Sequence, residues 1–486
     1  MVLATRGDAA PADATARLVP PGALLYAHLS TSESRTQDAR LLALAGRFAA
    51  VRERVPAIGM ALTPSAGGLD FTRDVRPWLG EEVALALLDG GSAGPEPMLL
   101  AAVDDRAGAE RTLAALGARP AGRHAGTPLL SLPPRATAAF AGGHLVIGPQ
   151  DAVTGAIDRA ADDGPPSLAE TRVYRRAAED RDGAASLEVF ATTVGLRRLL
   201  DGASGLAGTA GRLLLSPRLE GVHVQVGAEE GGLRVTARVL RAPGGGEPAA
   251  FEPTLAGRVP GDAAGFLALP GVDALAGIAE RAGGAALLAG LEEALPTAAG
   301  IELEDLLAPL GDEAVLTIRA GEVAPIFTLA ARTRDEASTR ESLARVQGPV
   351  SERLGGGPFE QRRLDGADAF TLHATPVLEP SYAVSKGAVV ASTAESGLDQ
   401  LGPARSPATA APVLEELMPE KGDQVEALVF LDPRKLLALG ERTGLRALSS
   451  PAARDDLGRI RAAGAVVKEG DNQPTDTTAE LFLEIP

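Results

Sequence analysis

Apolar and polar residues alternate in several stretches of the chain, which is the period of a strand whose two faces differ. The clearest case runs from Leu233 to Leu240, where Leu233 and Val235 face one way and Arg234 faces the other. This alternation predicts a sheet with one wet face, as antiparallel sheets allow. Clusters of β-forming residues predict further strands at Val83–Leu88, Leu99–Val103, Thr137–Phe140, Leu145–Ile147, Ser186–Ala191, Val222–Val226 and Thr477–Ile485.

Other stretches have the three-to-four spacing of an amphipathic helix. Leu41 and Leu44 belong to such a stripe, which predicts a helix over Thr36–Val55. The same reasoning predicts helices over Arg106–Leu116 and Arg334–Leu354. Because strands follow strands late in each half of the chain, this order favours the α+β class over a doubly wound α/β fold.

Short sequence anchors occur twice in the same order. Val19-Pro20 and Val259-Pro260 each open an apolar segment, and Leu79–Glu82 corresponds to Leu310–Glu313. The remaining pairs are Pro97–Leu100 with Pro325–Thr328, Gly143–Val146 with Gly387–Val390, Leu187–Phe190 with Ala427–Phe430, and Gly221-Val222 with Gly464-Ala465. The separations lie between 228 and 244 residues. We therefore predict an internal duplication that gives two tandem homologous α+β units, each a mainly antiparallel sheet with helices packed on one face.

These anchors suggest a division of the chain. Residues 1–17, rich in Ala, Asp, Pro and Thr, predict a flexible N-terminal tail. The first repeat is expected at 18–241 and the second at 251–486. A Gly- and Pro-rich run at 242–250 predicts the linker between them.

Composition and charge exclude several classes of protein. The 486 residues are 45% apolar and 23% charged, which is an ordinary globular balance. A net charge of −17 repels phosphate backbones, so a nucleic-acid partner is not expected. The absence of Cys excludes disulfides and thiolate metal sites. No apolar run reaches about 18 residues, so no membrane-spanning helix is expected in this chain.

No motif in the sequence carries a recognised chemistry. The histidines are His28, His124, His144, His223 and His373, and no two lie three to five residues apart, so no local zinc motif exists. Neither a nucleophile elbow nor a Walker A motif occurs. We therefore predict no catalytic residues, no metal ligands and no cofactor. His28, within an alternating segment, is expected to be a half-buried histidine with a satisfied hydrogen bond.

The candidate positions for a pocket or a repeated turn are Trp78, Gly80, Glu81, Gly311 and Asp312. An acidic pair follows glycine in both halves, and paired carboxylates can perform acid–base chemistry. However, neighbouring side chains on a strand point to opposite faces, which favours a structural turn over a catalytic dyad. The single tryptophan, Trp78, is expected to pack in a core, with the wall of a ligand pocket as the alternative.

Three of these segments together resemble a known family. The Val-Pro-x-x-Ala-x-x-Tyr segment at Val19–Tyr26, the run Pro77–Glu81 and the strand beginning near Pro97 are similar to the bacterial domain of unknown function 3352 family. The resemblance implies a duplicated protein that is extracytoplasmic or membrane-associated, because many members carry an N-terminal anchor or signal. The chain as given lacks such a segment, and on that ground alone a cytoplasmic location would be expected. The resemblance brings no activity and no catalytic residue.

These observations favour a non-enzymatic, envelope-associated scaffold or interaction protein whose partner is a protein or a lipid-like molecule. An alternative is a carrier of a lipid or another apolar ligand, which would require a long dry cavity. A second alternative is a hydrolase with a non-local site, whose acidic, Ser or His groups would have to converge in one pocket.

Overall fold

The computed structural model describes residues 13–32, 35–48, 71–179, 181–200, 218–244, 249–280, 296, 300, 302–355, 357–364, 366–375, 377–404, 406–415, 417–420, 422–443, 451–470 and 476–486. The chain divides into two compact units, Met1–Gly244 and Gly245–Pro486. Parts of the predicted tail, of the predicted linker and of the helix predicted to extend to Val55 lie outside the described residues. Across the described ranges, no helix has both the length and the apolar character needed to cross a bilayer.

The first unit contains one antiparallel sheet. Its strands are β1 (Leu25–Ser30), β2 (Leu79–Asp89), β3 (Pro95–Val103), β4 (Arg119–His124), β5 (Thr127–Leu132), β6 (Ala136–Ala141), β7 (His144–Gly148), β8 (Leu187–Thr192), β9 (Leu219–Glu229) and β10 (Gly232–Arg241). They are paired in the order β4-β5-β6-β7-β3-β2-β1-β8-β9-β10. The short strand β1 therefore lies in the middle of the sheet, with neighbours from both halves of the unit.

Helices cover both faces of this sheet. They are α1 (Thr36–Ala45), α2 (Arg106–Ala115), α3 (Gln150–Arg159), α4 (Arg172–Ala178) and α5 (Thr193–Leu200), with 3-10 turns at Thr15–Arg17, Gly91–Ala93 and Leu168–Glu170 and a π turn at Phe71–Val75. Helix α2 packs Leu113 against Leu145 on one face. On the opposite face, α3 and α4 pack Val153 and Tyr174 against Met98. The prediction of helices on one face is therefore wrong, because successive residues of β3 bury apolar side chains on both sides.

The second unit has the same strand order. Its strands are β11 (Gly265–Leu269), β12 (Leu310–Arg319), β13 (Ile326–Thr333), β14 (Glu360–Leu364), β15 (Ala367–Thr371), β16 (Ser381–Ser385), β17 (Ala388–Ser392), β18 (Ala427–Leu431), β19 (Ala462–Glu469) and β20 (Thr477–Glu484). Their order is β14-β15-β16-β17-β13-β12-β11-β18-β19-β20, all antiparallel. The helices are α6 (Val272–Ala279), α7 (Leu303–Leu307), α8 (Glu336–Leu354), α9 (Pro412–Glu415), α10 (Pro433–Thr443) and α11 (Pro451–Arg459), with 3-10 turns at Leu255–Arg258, Glu395–Leu401 and Ala408–Ala410. The α+β class is thus confirmed.

An irregular register at the start of β2 and of β12 places the repeated acidic pair. The pairing of β2 with β3 shifts between Leu79 and Val83, and that of β12 with β13 shifts between Leu310 and Ala314. A Cβ atom at Gly80 would lie 2.9 Å from the Cβ of Ala102 in β3. Glycine is needed here because real Cβ atoms do not approach so closely.

Two further expectations differ from the structure. Arg238, on the face of β10 predicted to be wet, is only 5% exposed. Arg238 Nη1 donates to the carbonyl oxygen of Arg176 at 3.5 Å, so α4 covers this end of the strand, whereas Arg234 and Thr236 of the same face are half-buried. The end of the predicted flexible tail is also packed: Thr15–Arg17 form a 3-10 turn, with Thr15 0% and Ala16 1% exposed. The tail prediction is wrong from residue 13 onward because these side chains complete the core beneath the sheet.

Candidate functional site: a buried acid–histidine network and an aliphatic sheet face

Trp78 lies in the core under α2. Its indole Nε1 donates to the carbonyl oxygen of Asp74 at 2.8 Å and to Thr112 Oγ1 at 3.0 Å. A surface pocket of about 370 Å³ opens beside the ring. The charges that line it are paired, since Arg73 lies 2.8 Å from Asp74 and Arg111 lies 3.4 Å from Asp105.

The other four predicted positions lie at the two irregular strand entries, two in each unit. Gly80 and Glu81 lie in the first unit, and Gly311 and Asp312 lie in the second. Gly311 repeats the close approach of Gly80, because a Cβ atom there would lie 2.9 Å from the Cβ of Arg332. The side chains of Glu81 and Asp312 are exposed. In each pair the second acid, which the sequence analysis did not select, points inward.

Glu82 occupies the centre of a buried polar cluster. Its carboxylate lies beneath the sheet, and the residue is 7% exposed. Oε1 accepts a hydrogen bond from His144 Nε2 at 2.9 Å. Oε2 accepts from His28 Nε2 at 3.2 Å and from the backbone N–H of Ala14 at 3.1 Å. His28 is fully buried rather than half-buried, and its Nε2 partner is this carboxylate.

His144 has a hydrogen-bond acceptor at each ring nitrogen. Nδ1 lies 2.9 Å from the carbonyl oxygen of Gly142, and Nε2 lies 2.9 Å from Glu82. Because a carbonyl and a carboxylate can only accept, both contacts are hydrogen bonds together only when both nitrogens carry protons, which is the imidazolium form. Burial lowers the pKa of His144, but the hydrogen bond and the charge of Glu82, together with the carbonyl of Gly142 and the charge of Asp13, outweigh it and raise that pKa above 6.5. Burial raises the pKa of Glu82, but hydrogen bonds from His144 and His28 lower it to about 2.

Asp13 is the second carboxylate of the cluster. It accepts hydrogen bonds from the hydroxyls of Tyr26 and Tyr174, and Arg181 Nη2 lies 2.5 Å from its Oδ2. Burial raises the pKa of Asp13, but the nearby His28 and Arg181 and the two tyrosine hydrogen bonds hold it below its usual range. Burial and the adjacent Asp13 raise the pKa of both tyrosines, so their hydroxyls remain protonated donors.

The cluster continues across the sheet. Arg181 Nε lies 2.9 Å from Glu188 Oε2, and His223 Nε2 lies 3.2 Å from the same oxygen. Glu188 stands opposite His28 on the neighbouring strand. We call the following nine residues the acid–histidine network: Asp13, Tyr26, His28, Glu82, His144, Tyr174, Arg181, Glu188 and His223.

Asp13 and Glu82, the two carboxylates at the centre of the network, are paired with protein groups. One ligand atom each from Asp13, His28 and Glu82 lie within 4.8 Å of one another, a spacing that could suit a cation. However, all four carboxylate oxygens already accept hydrogen bonds from the protein. Asp13 also has a cationic neighbour in Arg181, which it shares with Glu188, and Glu82 has one in His144. This donor set therefore fits an internal ion-pair network better than a metal centre.

The second unit buries a glutamate at the corresponding strand position but surrounds it differently. Glu313 is 1% exposed and accepts from the N–H of Leu255 at 2.5 Å, from Thr254 Oγ1 at 2.7 Å and from Arg332 Nε at 3.2 Å. The positions that correspond by strand register to Tyr26, His28, His144 and Glu188 hold Phe266, Ala268, Ala388 and Leu428, all buried. Burial raises the pKa of Glu313 more than these hydrogen bonds lower it. The fold therefore does not require the polar network of the first unit.

The opposite face of each sheet has an aliphatic surface that is only half-buried. In the first unit Leu25, Ala27 and Leu29 of β1 alternate with fully buried residues and face this side. We call the following set the aliphatic face: Leu25, Ala27, Leu29, Val83, Leu85, Leu87, Leu187, Val189, Val224 and Val226 in the first unit, and Leu267, Leu316, Ile318, Phe327, Val429 and Leu431 in the second. Phe327 and Leu431 are 45% and 40% exposed.

Comparisons with known proteins give a family but no activity. The structure of crystal form I of TP0453 is 12% identical to the chain, with a TM-score of 0.30, and the match covers 48% of this chain and 81% of that one. Crystal form III of the same protein is 11% identical, with a TM-score of 0.30, 47% of this chain covered and 80% of that one. Similarity at this level carries no argument about function. No curated protein matches the chain in sequence. The family model described as "Protein of unknown function (DUF3352)" matches residues 2–273, more than half of the 486 residues. The chain therefore belongs to the DUF3352 family.

Proposed function

We propose that the chain is a non-enzymatic, envelope-associated interaction protein whose contact surface is the aliphatic face. The observation that carries this proposal is the incomplete burial of Leu and Val side chains in adjacent register on the central strands of both units. Monomeric soluble proteins rarely leave contiguous apolar surface uncovered unless it binds a partner. The envelope location rests on the resemblance of the sequence to its family and is part of the proposal.

The arrangement of the polar groups supports a role outside catalysis. A hydrolase needs acidic and histidine groups that a substrate can reach. His28 is 0% exposed and Glu82 and His144 are each 7% exposed, and the Nε2 atoms of both histidines face the Glu82 carboxylate. The network therefore suits the positioning of one chain segment against the sheet.

We also propose that the two units are copies of one ancestral unit. They share one strand order, a glycine at the irregular strand entry, and a buried glutamate two residues after that glycine. A glutamate without chemistry in either unit would have little reason to recur unless both units inherited it. The proposed copies then offer two aliphatic faces in one chain, which would suit a partner with two apolar segments.

A second candidate, a carrier of a lipid-like ligand, uses the same surface. In the first unit the aliphatic face contains only Leu, Val and Ala, a lining that suits an acyl chain as well as a protein helix. The two candidates differ in what covers the face, and mass measurement separates them.

The proposal is tested by placing a photo-crosslinking amino acid at Phe327 in the living cell. The matched control position is Val377, which is 51% exposed and outside the aliphatic face. An interaction protein gives a discrete protein adduct from position 327 that is absent from position 377 and is reduced by Leu431→Asp. A carrier instead gives a lipid-sized mass in native mass spectrometry that organic extraction removes. If position 327 gives no adduct and the native mass equals that of the apo chain, the proposal is wrong.

A further inference from the structure

We propose that His144 makes the attachment of the N-terminal segment Asp13–Val19 dependent on pH, with firm attachment in weakly acidic solution and looser attachment as the pH rises. We call this segment the anchor segment. The proposal concerns the inside of the first unit and does not depend on the identity of any partner.

The anchor segment is held by polar and apolar contacts together. The N–H of Ala14 donates to Glu82 at 3.1 Å, and Ala16, Leu18 and Val19 are buried in the core of the first unit. The N–H of Leu168 donates to the carbonyl oxygen of Val19 at 2.8 Å. Glu82 thus connects the segment to the sheet. The hydrogen bonds of Glu82 and its pairing with a cation therefore affect how firmly the segment is attached.

Neutral His144 cannot satisfy its two neighbours. Loss of one proton leaves a lone pair on either Nδ1 or Nε2, and each faces an acceptor oxygen 2.9 Å away, on Gly142 or on Glu82. The buried Glu82 carboxylate would also lose its direct cationic partner, and an unpaired buried charge is strongly unfavourable. Deprotonation of His144 therefore weakens the attachment of the segment.

The other titratable and charged groups that face this site are compared with His144 by whether their protonation changes. The groups that face this site are Asp13 from the anchor segment, Tyr26 and His28 from β1, and Tyr174 from α4. Arg181 from the loop before β8 pairs with Asp13 and with Glu188 of β8, next to His223 of β9. Arg181 keeps its charge, and both tyrosines stay neutral because burial and Asp13 raise their pKa. His28 and His223 are the remaining imidazoles. The variant His223→Gln tests the contribution of His223, and the ring resonances of His144 distinguish its titration from that of His28.

The second unit provides an internal comparison with a permanent cation. Ala102 stands opposite His144 in the pairing of β3 with β7, whereas Arg332 stands opposite Ala388 in the pairing of β13 with β17. In the first unit the cation next to the buried glutamate is His144 on β7. In the second unit it is Arg332 on β13, the strand that corresponds to β3. Since a guanidinium does not lose its proton in proteins, residues 253–259 should remain attached at alkaline pH.

Hydrogen exchange measured by mass spectrometry from pH 6 to pH 9 tests the proposal in the intact chain. Protection factors, corrected for intrinsic exchange, are compared for residues 13–19 and 253–259. Because the pKa of His144 is raised above 6.5 in the folded state, the protection that it confers is complete below pH 6.5 and is lost as the pH rises through the folded pKa. We expect protection of 13–19 to fall by up to about tenfold per pH unit in that window, and protection of 253–259 to stay constant.

Two variants and a titration complete the test. His144→Ala combined with Ala102→Arg transfers the arrangement of the second unit into the first and should restore protection without pH dependence. His223→Gln should leave the pH dependence in place. The ring resonances of His144 in the wild-type protein should titrate at the same pH as the protection. Equal pH profiles for the two segments, or persistence of the pH dependence in the double variant, would overturn the proposal.

Discussion

Replacement of Glu82 by Gln is the sharpest test of the acid–histidine network. The substitution keeps the size of the side chain but removes the charge that two histidines share. Oε1 and Oε2 accept from His144 at 2.9 Å and from His28 at 3.2 Å. An amide can offer only one acceptor atom, so one histidine would face an NH₂ donor and the imidazolium of His144 would lose its counter-ion.

The magnitude follows from the pKa of Glu82. Its lowering from 4.5 to about 2 corresponds to about 3 kcal/mol of folding stability, at about 1.4 kcal/mol per pH unit. Removal of one partner from a buried ion pair costs about 3–5 kcal/mol, a range that agrees with this value. Because the folded pKa is lowered, the contribution is complete above pH 4.5 and is lost as the pH falls towards 2. We therefore expect Glu82→Gln to destabilise the first unit by about 3 kcal/mol at pH 7 and by less at pH 3.

Urea unfolding followed by tryptophan fluorescence measures this change. Trp78 is the single tryptophan of the chain and lies in the first unit, so its emission reports on the unit that carries Glu82. The exposed neighbour Glu81 supplies a matched control, since Glu81→Gln should change stability by no more than about 0.5 kcal/mol. The reasoning would be refuted if Glu82→Gln matched this control at pH 7, or if its cost were the same at pH 3 and pH 7.

Three further substitutions probe packing and the second glutamate. Gly195→Ala would bring a Cβ atom to 1.8 Å from the carbonyl oxygen of Leu24, so we expect a loss of about 1–3 kcal/mol in the same unfolding assay; wild-type stability would contradict the described approach of α5 to β1. Leu100→Ala removes a side chain that is 0% exposed and should cost about 2–5 kcal/mol in urea unfolding, with a loss below 1 kcal/mol inconsistent with a filled core. Glu313→Gln should cost less stability than Glu82→Gln in thermal unfolding followed by circular dichroism. The reasons are that burial raises the pKa of Glu313 and that the side chain of Arg332, which is 43% exposed, can remain hydrated. An equal or larger loss of stability would show that Arg332 depends on its ion pair with Glu313.

Local periodicity was sufficient to predict many of the strands and helices. The helix predicted at Arg334–Leu354 is observed at Glu336–Leu354, and the strand predicted at Thr477–Ile485 is observed at Thr477–Glu484. In both cases the apolar pattern is complete within one segment, so no distant contact is needed to recognise it. The α+β class follows from the same patterns, whereas the face that each helix covers depends on which strands become neighbours.

The acid–histidine network could not be predicted in the same way. Glu82 is separated by 54 residues from His28 and by 62 from His144, and the three lie on different strands. Their proximity depends on the pairing of β1 with β2 and of β3 with β7, which no local pattern specifies. One signal was present: in an adjacent acidic pair on a strand, one side chain must face inward. The selection of Glu81 and Asp312 took the exposed member of each pair.

On the common origin proposed above for the two units, the two positions of the cation have a consequence for the history of the sequence. Positions 102 and 144 in the first unit, and 332 and 388 in the second, act as one shared charge site spread over two strands. The two arrangements differ at two positions, histidine on one strand or arginine on the other. One substitution at a time can convert one arrangement into the other only through an intermediate that has both cations or neither. An intermediate with none leaves a buried carboxylate unpaired and should be eliminated by selection. Relatives that keep the glutamate should therefore carry arginine, histidine or both at these two positions together, although each position taken alone would look freely variable.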